Sequence, residues 1–291
     1  MIGVLAPAKI NLFLRICGRN DAGYHHIDSL IAFTEFGDYL TIEPANEDVL
    51  VLTGDFANMV DIPKKNNLVI RALNAFRQRG GSIGPSRIIL EKRIPVGAGL
   101  GGGSSDAAAL LLAANAASRH PLKQRNVIEI GRELGADVPV CLSKGCQRVA
   151  NTGEVLTPYE LPEIGTVLLV NPGVNLSTKD VFTSFANTHD GNSGEYGSGY
   201  GGSLSMLNAT GLVGLGNDLT ETAASLVPRI RNCLDKLMTA NGVIAAAMSG
   251  SGSSCFAFFE DSNMAKTAAQ HMQDAGYWAE VTRIYQPKTQ V

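Results

Sequence analysis

The stretch Pro95–Ala109, PVGAGLGGGSSDAAA, lies between a strand-like run at 87–94 and an alanine- and leucine-rich run at 107–117 that predicts a helix. Its glycines allow the backbone to approach a ligand closely, and the first N–H groups of a helix have no partner within the helix. This order of strand, glycine loop and helix start predicts a phosphate-binding loop, in which Ser104 and Ser105 supply hydroxyl donors or reach a metal ion. The alternative is a capped surface turn, which would need fewer glycines and serines.

Two other kinds of phosphate loop fit this stretch less well. No Gly-Lys-Ser/Thr follows the glycines, so it is not a loop of the Walker A type. Gly97, Gly99 and Gly102 match the dinucleotide pattern G-x-G-x-x-G, which requires a second strand about 20 residues later. The corresponding segment, 122–134, has apolar residues at helical spacing instead. The dinucleotide motif therefore lacks its second half.

Length and composition predict one large or two ordinary domains with a full hydrophobic core. The chain has 291 residues, 45% of them hydrophobic, and a formal net charge of −3. A nucleic-acid-binding surface usually carries a basic excess, so that class of function is disfavoured. The longest apolar run, at 107–117, is shorter than the about 20 residues that cross a bilayer. The N-terminal segment has no positive leader, which argues against a signal peptide.

The cysteines and histidines indicate a reduced, cytoplasmic protein. The five cysteines form no Cys-x-x-Cys pair, and most lie in apolar segments where a free thiol packs as a small core side chain. The five histidines, two of them adjacent, do not reproduce the spacing of zinc ligands. We therefore expect free thiols and no zinc site.

The pattern of apolar residues predicts an alternation of strands and helices. Pro228 should kink or break the helix that contains it, and the connection at 158–163 marks the expected domain boundary, which gives domains 1–158 and 159–291. The segment 186–205 is rich in glycine and serine and is predicted to be a mobile insertion. Helices are expected at 66–79, 123–134, 177–185, 217–241 and 264–275, and strands at 10–16, 38–43, 48–53, 149–156, 165–170, 243–248, 255–260 and 278–285. Asn66 or Asn67 is the expected cap of the first helix, and Gly135 is expected to end the second.

Polar and aromatic residues near the N-terminus are candidates for a site, although each also has a structural interpretation. Lys9 and Asn11 lie at the start of the predicted strand at 10–16, where edge or surface positions are equally reasonable. Tyr24 and His25 end a turn-rich loop. They either pack at the rim of the core and at the surface, or converge on a heteroaromatic ligand.

Three further positions later in the chain have the same two interpretations. Asp137 precedes an apolar segment, 138–142, that is predicted to be a strand. Aspartates are common in turns, but an unpaired carboxylate entering an apolar strand would be costly, and Lys9 is an available partner. Phe182 is either a core contact of its helix or a stacking face. The glycine-serine turn Ser249–Ser254 is either a simple hairpin or a second support for the loop.

The loop resembles the central motif of the GHMP kinases, the family that includes galactokinase, homoserine kinase and mevalonate kinase. Their pattern, Pro-x-x-x-Gly-Leu-Gly-(Ser/Gly)-(Ser/Gly)-Ser/Ala, is matched from Pro95 onward, and the turn Ser249–Ser254 is similar to their third motif. The resemblance implies an α+β, two-domain GHMP kinase fold with the active site in the interdomain cleft, and ATP and Mg²⁺ as cofactors. By this resemblance the ATP-binding residues are Pro95, Val96, Gly97, Ala98, Gly99, Leu100, Gly101, Gly102, Gly103, Ser104 and Ser105.

The segment Pro7–Leu30 narrows the resemblance to one branch of the family. Pro-Ala-Lys-Ile-Asn-Leu, followed by Gly-Arg-x-x-x-Gly-Tyr-His, is similar to the members that phosphorylate the 2-hydroxyl of a cytidine-diphosphate derivative of methylerythritol in the non-mevalonate isoprenoid pathway. Resemblance to the family's Leu-Gly-Ala-Asp-Val-Pro motif implies that Asp137 is the catalytic base. The resemblance implies that Lys9 pairs with Asp137, keeps it ionised and offsets phosphate charge.

The same resemblance implies a small-molecule substrate whose cytosine lies between Tyr24 and Phe182. His25 and Asn11 are expected to hydrogen-bond the nucleotide or the erythritol part, and Ser105 is a candidate Mg²⁺ ligand. We expect neither a nucleic-acid nor a membrane partner, and a monomer or homodimer. Two alternatives stay open, namely another small-molecule GHMP kinase, for homoserine or mevalonate, and a non-catalytic ligand sensor of the same fold.

Overall fold

The computed structural model describes residues 1–21, 23–143, 145–162, 164–189 and 199–286. The chain forms two compact units, neither of which is one continuous segment. The expected division at residue 158 does not coincide with the limits of these units and stays a prediction about domains in the sequence. The first unit comprises Met1–Ala8, Phe36–Val96 and Gly101–Lys144, and the second comprises Lys9–Glu35, Gly97–Leu100 and Gly145–Val291.

Two long strands, β1 (Ile2–Arg19) and β2 (His25–Pro44), contribute residues to both units and pair with each other. β1 begins well before the predicted strand at 10–16. Lys9 therefore lies inside a strand rather than at its mouth, within a run, 6–14, whose residues are all buried. Continuous burial of this kind is typical of a strand that is covered on both faces.

In the first unit, β4 (Ser86–Glu91) lies between β2 and β3 (Val49–Thr53). It pairs antiparallel with the second half of β2 and parallel with β3. The buried apolar residues of β4, Ile88 and Leu90, are two positions apart, so they share one face of the sheet. The predictions of strands in these three segments are confirmed.

The helices of the first unit follow the predicted pattern, with one exception. Asn67 caps the first helix, as predicted, because its side chain accepts a hydrogen bond from the N–H of Val69. The segment at 122–134 forms a helix from Gln124 onward, so the dinucleotide interpretation does lack its second strand. The helices are α1 (Leu68–Gln78), α2 (Gly102–Ala117), α3 (Gln124–Leu134) and α4 (Val138–Ser143).

The exception is α4, because the segment after Asp137 was predicted to be a strand. A short apolar run is equally compatible with a buried helix, and periodicity alone does not distinguish the two. Val138 and Val140 are buried, but Asp137 itself is exposed, and its carbonyl accepts a hydrogen bond from the N–H of Cys141. The expectation that this carboxylate enters an apolar environment was therefore wrong.

In the second unit, β5 (Gln147–Asn151) pairs with the first half of β2 and with β6 (Val155–Pro158). The prediction of a single strand at 149–156 was wrong because the chain turns at Gly153, whose φ of 103° suits glycine. A separate antiparallel sheet has the strand order β10-β7-β9-β8. Its strands are β7 (Thr166–Asn171), β8 (Val243–Met248), β9 (Cys255–Phe259) and β10 (Trp278–Arg283).

Helices of the second unit pack against this sheet and close a core that includes Leu168, Leu237 and Phe259. The predicted break at Pro228 is confirmed: it divides the segment 217–241 and is the first residue of a new helix, because its ring is tolerated only in a helix's first turn. The helices are α5 (Thr178–His189), α6 (Ala209–Gly214), α7 (Thr220–Leu226), α8 (Pro228–Met238) and α9 (Ser262–Asp274).

Only the ends of the predicted insertion at 186–205 belong to the described structure, and residues 190–198 lie outside the described residues. At the far end, the N–H of Tyr200 donates to Asp28 at 2.8 Å. The guanidinium of Arg148 donates to both oxygens of Asp28, at 2.9 Å each, and to the carbonyl of Tyr200. The far end of the predicted insertion is therefore tied to β2 and β5.

Candidate active site

The turn Ser249–Ser254, between β8 and β9, holds the second-unit part of the glycine loop. Its last N–H, that of Ser254, donates to the carbonyl of Ala98 at 3.0 Å, and the hydroxyl of Ser249 donates to the carbonyl of Gly99 at 3.1 Å. Gly99 has a φ of 76°, and a Cβ there would lie 2.5 Å from the carbonyl oxygen of Ser249. Only glycine permits this approach, so the turn fixes the course of the loop.

The first-unit part of the loop leads directly into α2. Gly101 is the N-cap residue of this helix and has a left-handed conformation, with a φ of 67°. The hydroxyl of Ser105 donates to the carbonyl of Pro7 at 2.8 Å, and the residue is 2% exposed. Ser105 therefore anchors the start of α2, and its predicted role as a Mg²⁺ ligand has no support from this contact. The N–H groups of the first turn of α2 are the ones that a phosphate can accept from.

A buried ionic cluster joins the two ends of the first-unit loop segment. The ammonium of Lys92, just after β4, contacts the carboxylates of Asp38 and Asp106, the latter at 2.8 Å. Asp38 also accepts hydrogen bonds from the backbone N–H groups of Arg93 and Ile94, at 2.6 and 2.8 Å. Asp106 belongs to the first turns of α2, so the cluster connects the chain that enters the loop with the helix that leaves it.

The charges of this cluster shift the pKa values of its members. Burial raises the pKa of Asp106 to about 8, with Lys92 opposing the shift and Asp38 adding to it. Burial alone would lower the pKa of Lys92, but the carboxylates of Asp106 and Asp38 raise it overall. At neutral pH the raised pKa values favour the protonated carboxyl of Asp106 and the charged ammonium of Lys92.

Lys9 is buried in the second unit beside the loop. It is 5% exposed, and its ammonium donates to Asn11 Oδ1 at 2.6 Å. Its backbone N–H donates to the carbonyl of Leu100 at 2.9 Å. A Cβ on Gly250 would lie 3.0 Å from the ammonium and 3.3 Å from the carbonyl oxygen of Gly99. The ammonium is thus packed against the backbone of the glycine-serine turn, next to the loop, and the surface interpretation of Lys9 is excluded.

Both polar side-chain atoms of Asn11 and its backbone N–H form hydrogen bonds within the protein. It is 3% exposed, and its Oδ1 accepts from Lys9. Its Nδ2 donates to the hydroxyl of Ser29 at 2.9 Å, and its backbone N–H donates to the hydroxyl of Ser249 at 3.2 Å. These contacts support a role in holding Lys9, while the predicted contact between Asn11 and a substrate stays a prediction.

An aromatic group lies at the start of β2. The ring of His25 is 5.2 Å from that of Phe182 and 6.2 Å from that of Phe185, measured between centroids. Tyr24 is 68% exposed, and its backbone N–H donates to Asn20. The structure thus brings His25 and Phe182 together, and it leaves the ring of Tyr24 available to a ligand.

Sequence reasoning missed Ser29, Asp38, Lys92 and Asp106. Each is buried, and a charged residue directly before an apolar run, as Asp106 is before the run at 107–112, is the signal that could have found the ionic cluster. Ser29 gave no comparable signal, since a serine in a strand is common. Asp137 was found from its motif alone; it belongs to the first unit and Lys9 to the second, and their pairing stays a prediction.

Two further features are absent from the described residues. Among them, no group of three or more His, Cys, Asp and Glu side chains is arranged to hold a metal ion. No helix in the described part of the chain is long and apolar enough to span a bilayer.

Comparison with known families places the two sequence motifs in GHMP kinase domains. The model of the GHMP kinases N terminal domain matches residues 67–145, which contain the glycine loop and Asp137. The model of the GHMP kinases C terminal domain matches residues 200–277, which contain the turn Ser249–Ser254.

Individual proteins narrow the family further. A protein of Brucella abortus named 4-diphosphocytidyl-2-C-methyl-D-erythritol kinase is 40% identical over 276 residues, which cover 93% of this chain and 90% of that protein. A protein of Cereibacter sphaeroides with the same name is 38% identical over 288 residues, 98% of this chain and 99% of its own length. A crystal structure titled 4-(cytidine 5'-diphospho)-2C-methyl-D-erythritol kinase matches with a TM-score of 0.82 and 31% identity, covering 98% of this chain and 100% of that one. The chain therefore belongs to the 4-diphosphocytidyl-2-C-methyl-D-erythritol kinase family of the GHMP kinases.

Proposed function

We propose that this protein transfers the γ-phosphoryl group of ATP to the 2-hydroxyl of 4-diphosphocytidyl-2-C-methyl-D-erythritol, a step of non-mevalonate isoprenoid biosynthesis. The observation that carries the proposal is the identity of about 40% over most of the chain to proteins with that name. Phosphoryl transfer depends on positioning and on neutralisation of charge more than on covalent chemistry. A glycine loop fixed by a second turn, beside a buried lysine, provides both.

Lys9 is assigned to neutralising charge on the phosphoryl group in transit. Within the second unit, the described partner of its ammonium is the neutral oxygen of Asn11, so two of its three N–H donors stay available. A buried cation without an anionic partner is costly. A phosphate group at the loop would supply that anion, and the neighbouring Gly99 belongs to the segment that is assigned to hold it.

Asp137 is assigned as the general base that accepts the proton of the substrate hydroxyl. The residue is exposed immediately before α4, so a small-molecule hydroxyl can reach its carboxylate. Its assignment rests on the Gly-Ala-Asp-Val-Pro motif, which lies inside the part of the chain that matches the N-terminal family model.

The cytosine of the substrate is assigned to the aromatic group at the start of β2. His25 and Phe182 already form a tilted pair, with 40° between their planes, and the exposed Tyr24 directly precedes His25 in the chain. A base that stacks on such a ring gains on the order of 1–3 kcal/mol, by analogy with nucleic-acid stacking. Asn11 contributes indirectly, through Lys9.

Mg²⁺ is expected to reach the site with ATP, bound mainly to phosphate oxygens and water. The described residues supply no carboxylate cluster for it, and the hydroxyl of Ser105 is used on Pro7. When bound, the ion would offset negative charge on the phosphates. The cytoplasmic location and the monomeric or homodimeric state stay predictions.

A substrate comparison tests the proposed reaction. Purified protein with ATP and Mg²⁺ is given the cytidine substrate, homoserine or mevalonate, and release of ADP is measured. We expect ADP only with the cytidine substrate, with kcat/KM at least about a hundredfold above that for the other two. Turnover of homoserine or mevalonate at a similar kcat/KM would contradict the assigned substrate, and binding of ATP and the cytidine substrate without ADP release would indicate a sensor.

The role of Asp137 is tested by Asp137→Asn. The amide keeps the size of the side chain but accepts no proton, so turnover should fall at least about a hundredfold. Because Asp137 is exposed, the melting temperature and the affinity for ATP should change little. A variant with near-wild-type kcat would remove Asp137 from the chemistry.

A further inference from the structure

Lys9 and Asn11 are two positions apart on β1, so their side chains project from the same face of the strand. The 2.6 Å hydrogen bond from the ammonium to Asn11 Oδ1 therefore fixes the position of the ammonium only if the amide presents its oxygen to Lys9. The opposite orientation of the amide, rotated by half a turn, would place two donors against each other. Something must select between these orientations.

Ser29 selects the orientation. Its hydroxyl donates its one proton to the carbonyl of Phe13 at 2.6 Å, so towards Asn11 the oxygen can only accept. The group that faces it at 2.9 Å must therefore be the Nδ2 of Asn11, which turns Oδ1 towards Lys9. Ser29 has no exposed surface, so water does not substitute for it as the acceptor.

The backbone of Asn11 is fixed to the loop by a separate contact. Its N–H donates to Ser249, whose hydroxyl donates to the carbonyl of Gly99 at 3.1 Å. The side chain of Asn11 is thus oriented by Ser29, and its main chain is tied through Ser249 to the loop. All of these residues belong to the second unit.

We propose that Ser29 is a positioning residue for phosphoryl transfer: through the amide of Asn11 it holds the ammonium of Lys9 beside Gly99. The inference rests on the proposed role of Lys9. If Ser29 were purely structural, its substitution would remove the same hydrogen bonds. It would not change turnover by displacing Asn11. The two roles therefore differ in a measurable way.

The test compares Ser29→Ala, Ser29→Thr and Ser29→Cys at saturating ATP and cytidine substrate. Ser29→Ala removes the acceptor, and we expect kcat to fall about 10- to 100-fold, since a displacement of about 1 Å can have an effect of this size. KM for either substrate should change less than kcat. Ser29→Thr keeps the hydroxyl and should restore most of kcat. Ser29→Cys keeps the volume with a weaker acceptor and gives an intermediate value, which covers the case in which the alanine variant does not fold.

Two controls separate positioning from a general loss of stability. Ser86 is a buried serine of the first unit whose hydroxyl also donates to a backbone carbonyl, that of Gly84. Ser86→Ala should lower the melting temperature by a few degrees, comparable with Ser29→Ala, and leave kcat unchanged. In an Asn11→Ala background, Ser29→Ala should have no further effect on kcat, because the residue through which it acts is absent.

The outcomes distinguish this inference from the assignment of Lys9. If Lys9→Met keeps near-wild-type turnover, the assignment of Lys9 is wrong and the inference is overturned with it. If Lys9→Met loses turnover while folded Ser29→Ala keeps wild-type kcat, only the inference is overturned. An equal effect of Ser29→Ala in the presence and absence of Asn11 would also overturn it.

Discussion

Lys9 and Lys92 are equally buried, each 5% exposed, but they face different partners. In the first unit, Lys92 contacts two carboxylates, those of Asp38 and Asp106. In the second unit, Lys9 donates to the neutral amide oxygen of Asn11. Lys92 thus has two acidic side chains as partners, whereas the described partner of the Lys9 ammonium is neutral.

Under the proposed function, this difference separates a lysine that stabilises the fold, Lys92, from one that binds a ligand, Lys9. A buried charge with a charged, hydrogen-bonded partner can be tolerated, whereas a buried charge without one destabilises the protein. Lys92 therefore belongs to the architecture that holds the chain at both ends of its loop segment. In the proposed function, the remaining N–H donors of the Lys9 ammonium bind an anionic phosphate.

The contrast between Lys9 and Lys92 would be wrong if Lys9 had only a structural role. Lys9→Met keeps a chain of similar length without the charge, and we expect kcat to fall about a hundred- to thousandfold, the usual effect of removing one group that stabilises developing charge. The free energy of unfolding should stay the same or rise, because an incompletely compensated buried cation is removed. Steady-state kinetics and urea unfolding measure the two effects, and a strongly destabilised variant would contradict the comparison.

Lys92→Met should lower the free energy of unfolding rather than turnover. The change leaves the buried carboxyl groups of Asp38 and Asp106 without their cation, and we expect the free energy of unfolding to fall by about 3–5 kcal/mol. The matched control is Lys92→Met combined with Asp38→Asn, which removes an acidic group together with the cation and should lose clearly less. Urea unfolding of the three proteins decides the point. A single variant as stable as the double variant would show that the carboxylates do not depend on Lys92.

The parts of this fold that follow local rules could be predicted from the sequence. The glycine loop, the cap at Asn67 and the end of α3 at Gly135 each depend on a few neighbouring residues, and they are confirmed. The run at 138–142 could not be assigned by the same means, since a short apolar segment fits a buried strand and a buried helix equally well. The turn at Gly153 was missed because one glycine in an apolar run is a weak signal.

The environment of the candidate site could not be predicted, because it is built from residues that are distant in sequence. Asn11 and Ser249 are 238 positions apart, and Lys92 and Asp38 are 54 apart. No local pattern shows that a lysine in a strand faces an amide rather than a carboxylate. Motif resemblance identified Lys9 without its surroundings, and the role of Asp137 depends on a substrate contact that stays a prediction.

A smaller effect, on stabilisation by bound nucleotide, tests whether the ammonium of Lys9 contacts the γ-phosphate of ATP. ATP at 100 times its Kd should stabilise the wild-type protein by about 2.7 kcal/mol. If the ammonium contacts the γ-phosphate and contributes about tenfold to affinity, Lys9→Met should lose about 1.4 kcal/mol of that protection at the same concentration. ADP lacks the group, so protection by ADP should be unchanged in the variant. An equal loss for both nucleotides would move Lys9 away from the γ-phosphate.

The smallest expected effect concerns the charge balance around Lys92. The pKa of Asp106 is raised from 3.8 to about 8 in the folded protein, chiefly by burial, so its proton stabilises the fold fully below about pH 4, and this contribution is lost as the pH rises towards 8. Asp106→Asn removes the titration while keeping the size of the side chain. We therefore expect the wild-type protein to lose stability relative to Asp106→Asn between pH 5 and 8, by less than the limit of about 1.4 kcal/mol per pH unit, because Asp38 and Lys92 share the change in charge. Urea unfolding of both proteins at several pH values measures the difference. If it does not change with pH, Asp106 keeps the same protonation state in the folded and unfolded protein, and the two carboxylates around Lys92 are both ionised.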